Sequence, residues 1–210
     1  MFDFEAMLIR VPGILLALTF HEFAHGWMAR KLGDDTAELE GRLTLNPLAH
    51  LDPMGTIMLL FAPIGWAKPV PVNSRNFREP RRDILLVSLA GPMSNVILAV
   101  ILGYAHRFIA LQSGAGYVFE MLTIGIWINI GISLFNLMPI PPLDGSKILM
   151  GLLKPEQVPA YLKIMRYAPQ VFLVLLFAEF YLGIRTWSLV FYPLLDLYKL
   201  PIFAIINLGA

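Results

Sequence analysis

The chain has 210 residues, of which 57% are hydrophobic and 15% charged, with a formal net charge of +1. A soluble domain carries about 25% charged residues, so an ordinary water-soluble fold is excluded, and with it a disordered chain or a basic nucleic-acid binder. There is no cysteine, which removes disulfides, thiolate metal sites and cysteine nucleophiles.

In chain order, the first apolar stretch predicts a helix over about residues 5–31, stopped by Gly33, Asp34 and Asp35. It has neither a basic leader nor a small-residue cleavage site, so it is not expected to be a removed signal peptide. Residues 41–47, Gly-Arg-Leu-Thr-Leu-Asn-Pro, alternate polar and apolar and predict a short strand of a β-hairpin. Met54 to Trp66 is apolar but short for a crossing and contains Gly55, Pro63 and Gly65; a re-entrant or partial segment is expected.

Residues 67–82 form a proline-rich loop in which Lys68, Arg75, Arg78, Arg81 and Arg82 face one acid, Glu79. A second helix is predicted over 83–111, interrupted at Gly91-Pro92, and a third over 118–137, ended by Pro139, Pro141 and Pro142. Tyr161 to the C-terminus is apolar again; Arg185 is expected to divide it into two crossings. The second of these is the weaker, since Pro193, Asp196, Lys199 and Pro201 fall inside it. The expected architecture is an all-α polytopic membrane protein of about five or six transmembrane helices with a short β-hairpin or re-entrant segment after the first. It is expected to form one membrane-embedded domain over 1–210, with a core at about 5–150 and C-terminal helices at about 157–208. Basic loops stay in the cytoplasm, so the 67–82 loop assigns that side to itself and to the end of the first helix.

Chemistry concentrates in the first helix as His21-Glu22-Phe23-Ala24-His25. Histidines at i and i+4 differ by about 40° around the axis and about 6 Å along it, so both imidazoles reach one metal ion. Glu22 can then touch a water on that metal without being a ligand, the HExxH arrangement of zinc peptidases. Ionisable groups in a span are costly and rarely idle. A catalytic zinc needs a third protein ligand. The candidates are His50, Asp52, His106, Asp144 and Glu179, and Asp144 is favoured because it follows the proline cluster that breaks the third helix. Asn95, four residues past Gly91, either faces the same cavity or bonds a neighbouring helix.

Taken together, the HExxH at residues 21–25 and Asn136-x-x-Pro139-x-Pro141-x-Leu143-Asp144-Gly145 resemble the site-2 protease family of intramembrane zinc metalloproteases. Residues 41–55, 66–73 and Gly91-Pro92-x-x-Asn95 resemble its short members, which carry no PDZ domain. The resemblance implies one Zn²⁺ held by His21, His25 and Asp144, Glu22 as general base, and Asn136 in the active site. It also implies transmembrane proteins or remnant signal peptides as substrates, a lipid bilayer as surroundings, and a plasma-membrane location with the site toward the cytoplasm. A transporter using His and Asp for ions, or an inactive relative that only binds membrane proteins, are the competing functions. The first leaves Glu22 between two histidines unexplained; against the second, every expected ligand and the base are intact.

Overall fold

A computed structural model describes residues 4–55, 66–112 and 116–207. Helix α1 covers Phe4–Lys31, α2 Pro80–Gln112 and α3 Tyr117–Asn136. They are followed by α4 (Asp144–Leu152), α5 (Val158–Met165), α6 (Ala168–Leu182) and α7 (Ser188–Asn207). The three long helices expected from the sequence agree with α1, α2 and α3 to within a few residues.

Among the described residues, four helices are long and apolar enough to cross a membrane: α1, α2, α3 and α7. The segments Pro155–Met165 and Ala168–Leu182 pass that test as a pair bent by 42°. The chain is thus a multi-pass membrane protein, with four such helices among the described residues, or five spans if the bent pair counts as one. The crossing expected to be weak, α7, is long and apolar enough as a single helix. Its charges are managed locally, because Lys199 Nζ lies 2.6 Å from Asp196 Oδ1 and over the Trp127 ring. The break before it centres on Gly183, whose φ of +68° ends α6 in the left-handed conformation that glycine adopts without cost. Arg185 lies inside this break, as expected. Glu179 closes the turn, its Oε2 accepting from the amides of Thr186 at 3.2 Å and Ser188 at 2.9 Å.

Two sequence expectations are corrected. Helix α2 is continuous through Gly91 and Pro92. Proline removes one backbone donor, but the carbonyls near it are used: Ser94 Oγ donates to Gly91 O and Ser133 Oγ to Pro92 O, at 2.7 and 2.8 Å. No strand forms at residues 41–47, nor elsewhere among the described residues, apart from an isolated antiparallel bridge between Leu51 and Ala67. The amides of Arg42 and Leu43 both turn back to Ala37 O, and Thr44 N donates to Arg42 O, so local turns consume the donors a ladder would need. Gly41, at φ +66°, starts that reversal. Most of the expected re-entrant segment, residues 56–65, lies outside the described residues.

α1, α2 and α3 pack on one another, α4 lies on α2, and α7 packs on α2 and α3. The apolar cluster of Ala99, Ile126, Ile130, Ile202 and Ile206 joins α2, α3 and α7. A second cluster of Ala29, Phe77 and Val87 ties the end of α1 to α2 and to the loop before it. Between α1 and α3 the approach is close: a Cβ on Gly13 would lie 3.1 Å from Gly125 Cα.

Candidate active site

The helical spacing of His21 and His25 puts both rings on the face of α1 that meets α2, and the turn after α3 carries Asp144 to the same point. That turn needs Gly145, because a Cβ there would strike the carbonyls of Leu137 and Met138. His21 Nε2, His25 Nε2 and Asp144 Oδ2 form a triangle with sides of 3.0, 3.1 and 3.1 Å. All three residues are buried. They are the group of His, Asp and Glu side chains among the described residues that could hold a metal ion.

The chemistry of these donors fits a metal. His25 Nδ1 lies 2.7 Å from Val87 O. A carbonyl only accepts, so Nδ1 carries the hydrogen and Nε2 presents a lone pair. His21 Nδ1 likewise lies 2.7 Å from Asn95 Oδ1. Three electron-rich atoms therefore converge with their outer hydrogens committed elsewhere. Ligands about 2.0–2.1 Å from a tetrahedral zinc lie about 3.3 Å from one another, close to the sides of this triangle. The space beside it is kept by Gly91, since a Cβ there would run into His25 Nε2 and lie 2.8 Å from His21 Cε1.

Glu22 is buried beside the triangle, its Oε2 accepting from the amide of Val70 at 2.8 Å. His21, Glu22, His25, Asp144 and Asn136 line one cavity of about 330 Å³, together with Pro69, Val70 and Val72 of the loop before α2. Asn136 Nδ2 donates to Ile132 O at 3.0 Å, back along its own helix. Lys147 Nζ lies 3.7 Å from Asp144 Oδ1 at the cavity wall.

The loop that carries Val70 is anchored by Asp34, a fully buried acid just past α1. Asp34 accepts from Asn73 N and Asn76 Nδ2, both at 2.7 Å, and from Thr36 N at 3.2 Å. Burial pushes this carboxyl up, but the bonds outweigh it and hold it below its ordinary value.

All five site residues expected from the sequence meet in this one cavity. The other ligand candidates lie elsewhere. His50 is buried with Nε2 on Thr44 O at 2.8 Å, His106 stacks on Phe119, and Asp52 Oδ1 caps Gly55 N at 2.8 Å. Glu179 holds the α6–α7 turn. Three partners escaped the sequence reading: the Val87 carbonyl, the Val70 amide and Asn129, which bonds Asn95. The first two are main-chain groups with no residue signature. Asn129 did offer a signal, as a lone amide between Ile128 and Ile130 in an apolar helix.

Two histidines four apart with an acid between them, a distant carboxylate and a cavity within apolar helices make up a metallopeptidase centre. The Peptidase family M50 pattern matches residues 108–178, the stretch that contains Asn136 and Asp144. YwhC of Bacillus subtilis, named as a zinc metalloprotease, is 45% identical over 168 residues, 77% of each chain. Rip2 of Mycobacterium tuberculosis H37Rv, so named too, is 34% identical over 181 residues, 80% of this chain and 65% of its own. MJ0611 of Methanocaldococcus jannaschii, again a zinc metalloprotease by name, is 28% identical over 149 residues, 70% of this chain and 72% of its own. No solved structure gives a significant match. The chain belongs to peptidase family M50, the site-2 protease family that its motifs resemble.

Proposed function

We propose that the chain is an intramembrane zinc endopeptidase that cuts transmembrane segments or remnant signal peptides near the cytoplasmic face of the plasma membrane. The observation that carries this reading is the convergence of His21, His25 and Asp144 at 3.0–3.1 Å with Glu22 beside them, buried among helices long enough to span a bilayer. These three residues would hold zinc, which when bound supplies the Lewis acid that makes water a nucleophile near neutral pH.

Glu22 acts as the general base: it takes a proton from the attacking water and returns it to the leaving amine. The Val70 amide holds one of its oxygens, so the carboxylate meets the water in a fixed orientation. Asn136 contributes an amide to the cavity wall and holds substrate backbone near the reacting carbonyl. A helix is about 10–12 Å across, too wide for a cavity of about 330 Å³, so substrate must unwind before it enters. Orientation toward the cytoplasm rests on the basic 67–82 loop, which lies beside the cavity through Pro69, Val70, Val72 and Ser74.

The test is to purify the protein in detergent and measure bound zinc together with cleavage of a model transmembrane substrate. Glu22→Gln is expected to keep zinc and lose cleavage by at least about 100-fold. Asp144→Ala is expected to lose zinc. Full cleavage by Glu22→Gln overturns the mechanism.

A further inference from the structure

Behind His21 lies a line of hydrogen bonds that crosses three helices. Asn129 Nδ2 on α3 donates to Gly125 O at 2.8 Å. Asn95 Nδ2 on α2 donates to Asn129 Oδ1 and to Ala17 O, both at 2.9 Å. Asn95 Oδ1 faces His21 Nδ1 at 2.7 Å. Both amides are fully buried.

The direction of this line is forced. Gly125 O and Ala17 O are carbonyls and only accept, so each asparagine must turn its NH₂ toward its own carbonyl. Asn129 is left with an oxygen toward Asn95, and Asn95 with an oxygen toward His21. An oxygen there can only accept, so His21 must carry its hydrogen on Nδ1 and leave Nε2 as a lone pair. Were the Asn95 amide reversed, its NH₂ would require a lone pair on Nδ1, and the hydrogen would move to Nε2 and block the metal position. His25 needs no such device, because its partner is the main-chain Val87 O.

We infer that Asn95 and Asn129 are positioning residues for metal binding: an ordered pair of amides that selects the His21 tautomer and fixes its ring so that Nε2 faces His25 and Asp144. Asn129 touches neither the metal ligands nor the cavity and acts through Asn95 alone. This inference rests on the zinc reading of the site.

The experiment uses the full chain in detergent, with the zinc dissociation constant measured by chelator competition and the visible spectrum of the Co²⁺-loaded protein as a second readout. Asn95→Leu keeps the size and removes the acceptor; it is expected to weaken zinc about 10–100-fold and to change the Co²⁺ spectrum. Asn95→Asp, which when protonated keeps one donor and the acceptor, is expected to hold zinc close to wild type. Asn129→Leu should weaken zinc in the same direction by less. The double Leu variant should bind no more weakly than Asn95→Leu alone, because the distal amide has nothing left to act through. Losses that multiply in the double variant, wild-type affinity in Asn95→Leu, or an Asn95→Asp as weak as Asn95→Leu each overturn the relay. If Asn95→Leu does not fold, Asn129→Leu decides: unchanged zinc affinity and Co²⁺ spectrum overturn it. A wild type without zinc affinity removes the proposed function as well, whereas zinc bound equally by wild type and all variants removes the relay alone.

Discussion

The Val70 amide donates to Glu22 Oε2 across 2.8 Å, so the loop before α2 helps set the orientation of the proposed base. Val70→Pro deletes that donor. Cleavage is expected to fall about 10–100-fold with zinc content unchanged, since misplacing a reacting group by about 1 Å has that order of effect. Parallel zinc analysis and turnover assays check it. A loss of zinc in this variant would mean that the loop supports the metal triangle instead.

Gly91→Ala separates helix stability from metal binding. In a helix interior, glycine to alanine ordinarily gains about 1 kcal/mol. Here the added methyl meets the imidazoles of His25 and His21. The expected outcome is a protein that still purifies as a helical monodisperse species but no longer retains stoichiometric zinc, read by metal analysis and circular dichroism.

Stripping the metal is expected to lower thermal stability. Without a cation, three lone-pair atoms are held 3.0–3.1 Å apart in a buried site. A ligand at 100 times its dissociation constant adds about 2.7 kcal/mol to the folded state. A chelator-treated sample should therefore melt several degrees lower, and added Zn²⁺ should restore the midpoint. Asp144→Ala should show no such response.

Asp34 predicts an acid limb. Its folded-state pKa lies below the ordinary carboxylate value, so its stabilisation is fully present above about pH 4 and is lost as pH falls through the folded pKa. Asp34→Asn should be less stable than wild type at neutral pH by about 1–3 kcal/mol and should show a shallower decline below about pH 4. Melting curves from pH 7 to pH 2.5 distinguish the two. Cleavage should fall as well, because the loop tied to Asp34 at Asn73 and Asn76 carries Val70.

The absence of cysteine makes orientation directly testable. A single exposed cysteine at Arg78→Cys should resist a membrane-impermeant thiol reagent in intact cells and react in inverted vesicles. Labelling of intact cells would reverse the proposed side.

The metal triangle was legible because each member carried its own signal: helical spacing for His21 and His25, and a helix-breaking proline run before Asp144. The helices were legible wherever apolar runs were long. The strand expected at 41–47 failed because alternation describes side chains, whereas a strand is decided by where backbone donors go, and those of Arg42 and Leu43 return to Ala37. Pro193, Asp196, Lys199 and Pro201 make α7 the weaker crossing in the sequence, yet the helix runs through both prolines and Asp196 and Lys199 pair with each other three residues apart. Gly91-Pro92 resembled a break but serves as a close-packed surface, a distinction that depends on what faces the residue across the helix contact. Val70 and Val87 act through main-chain groups, which any residue type would supply.

Gly13 and Gly125 give the site a mechanical dependence on a place far from it. Eight residues separate Gly13 from His21, about 12 Å along α1. In between, Ala17 lends its carbonyl to Asn95. The distance between the first and third helices is therefore gauged by the missing side chain of Gly13, and the error allowed at that gauge is a few tenths of an ångström. A larger residue at Gly13 would act as a shim, prying α1 from α3 and carrying the displacement to the imidazole two turns on. Loss of metal at a distance, with every ligand intact, is the failure this joint would produce.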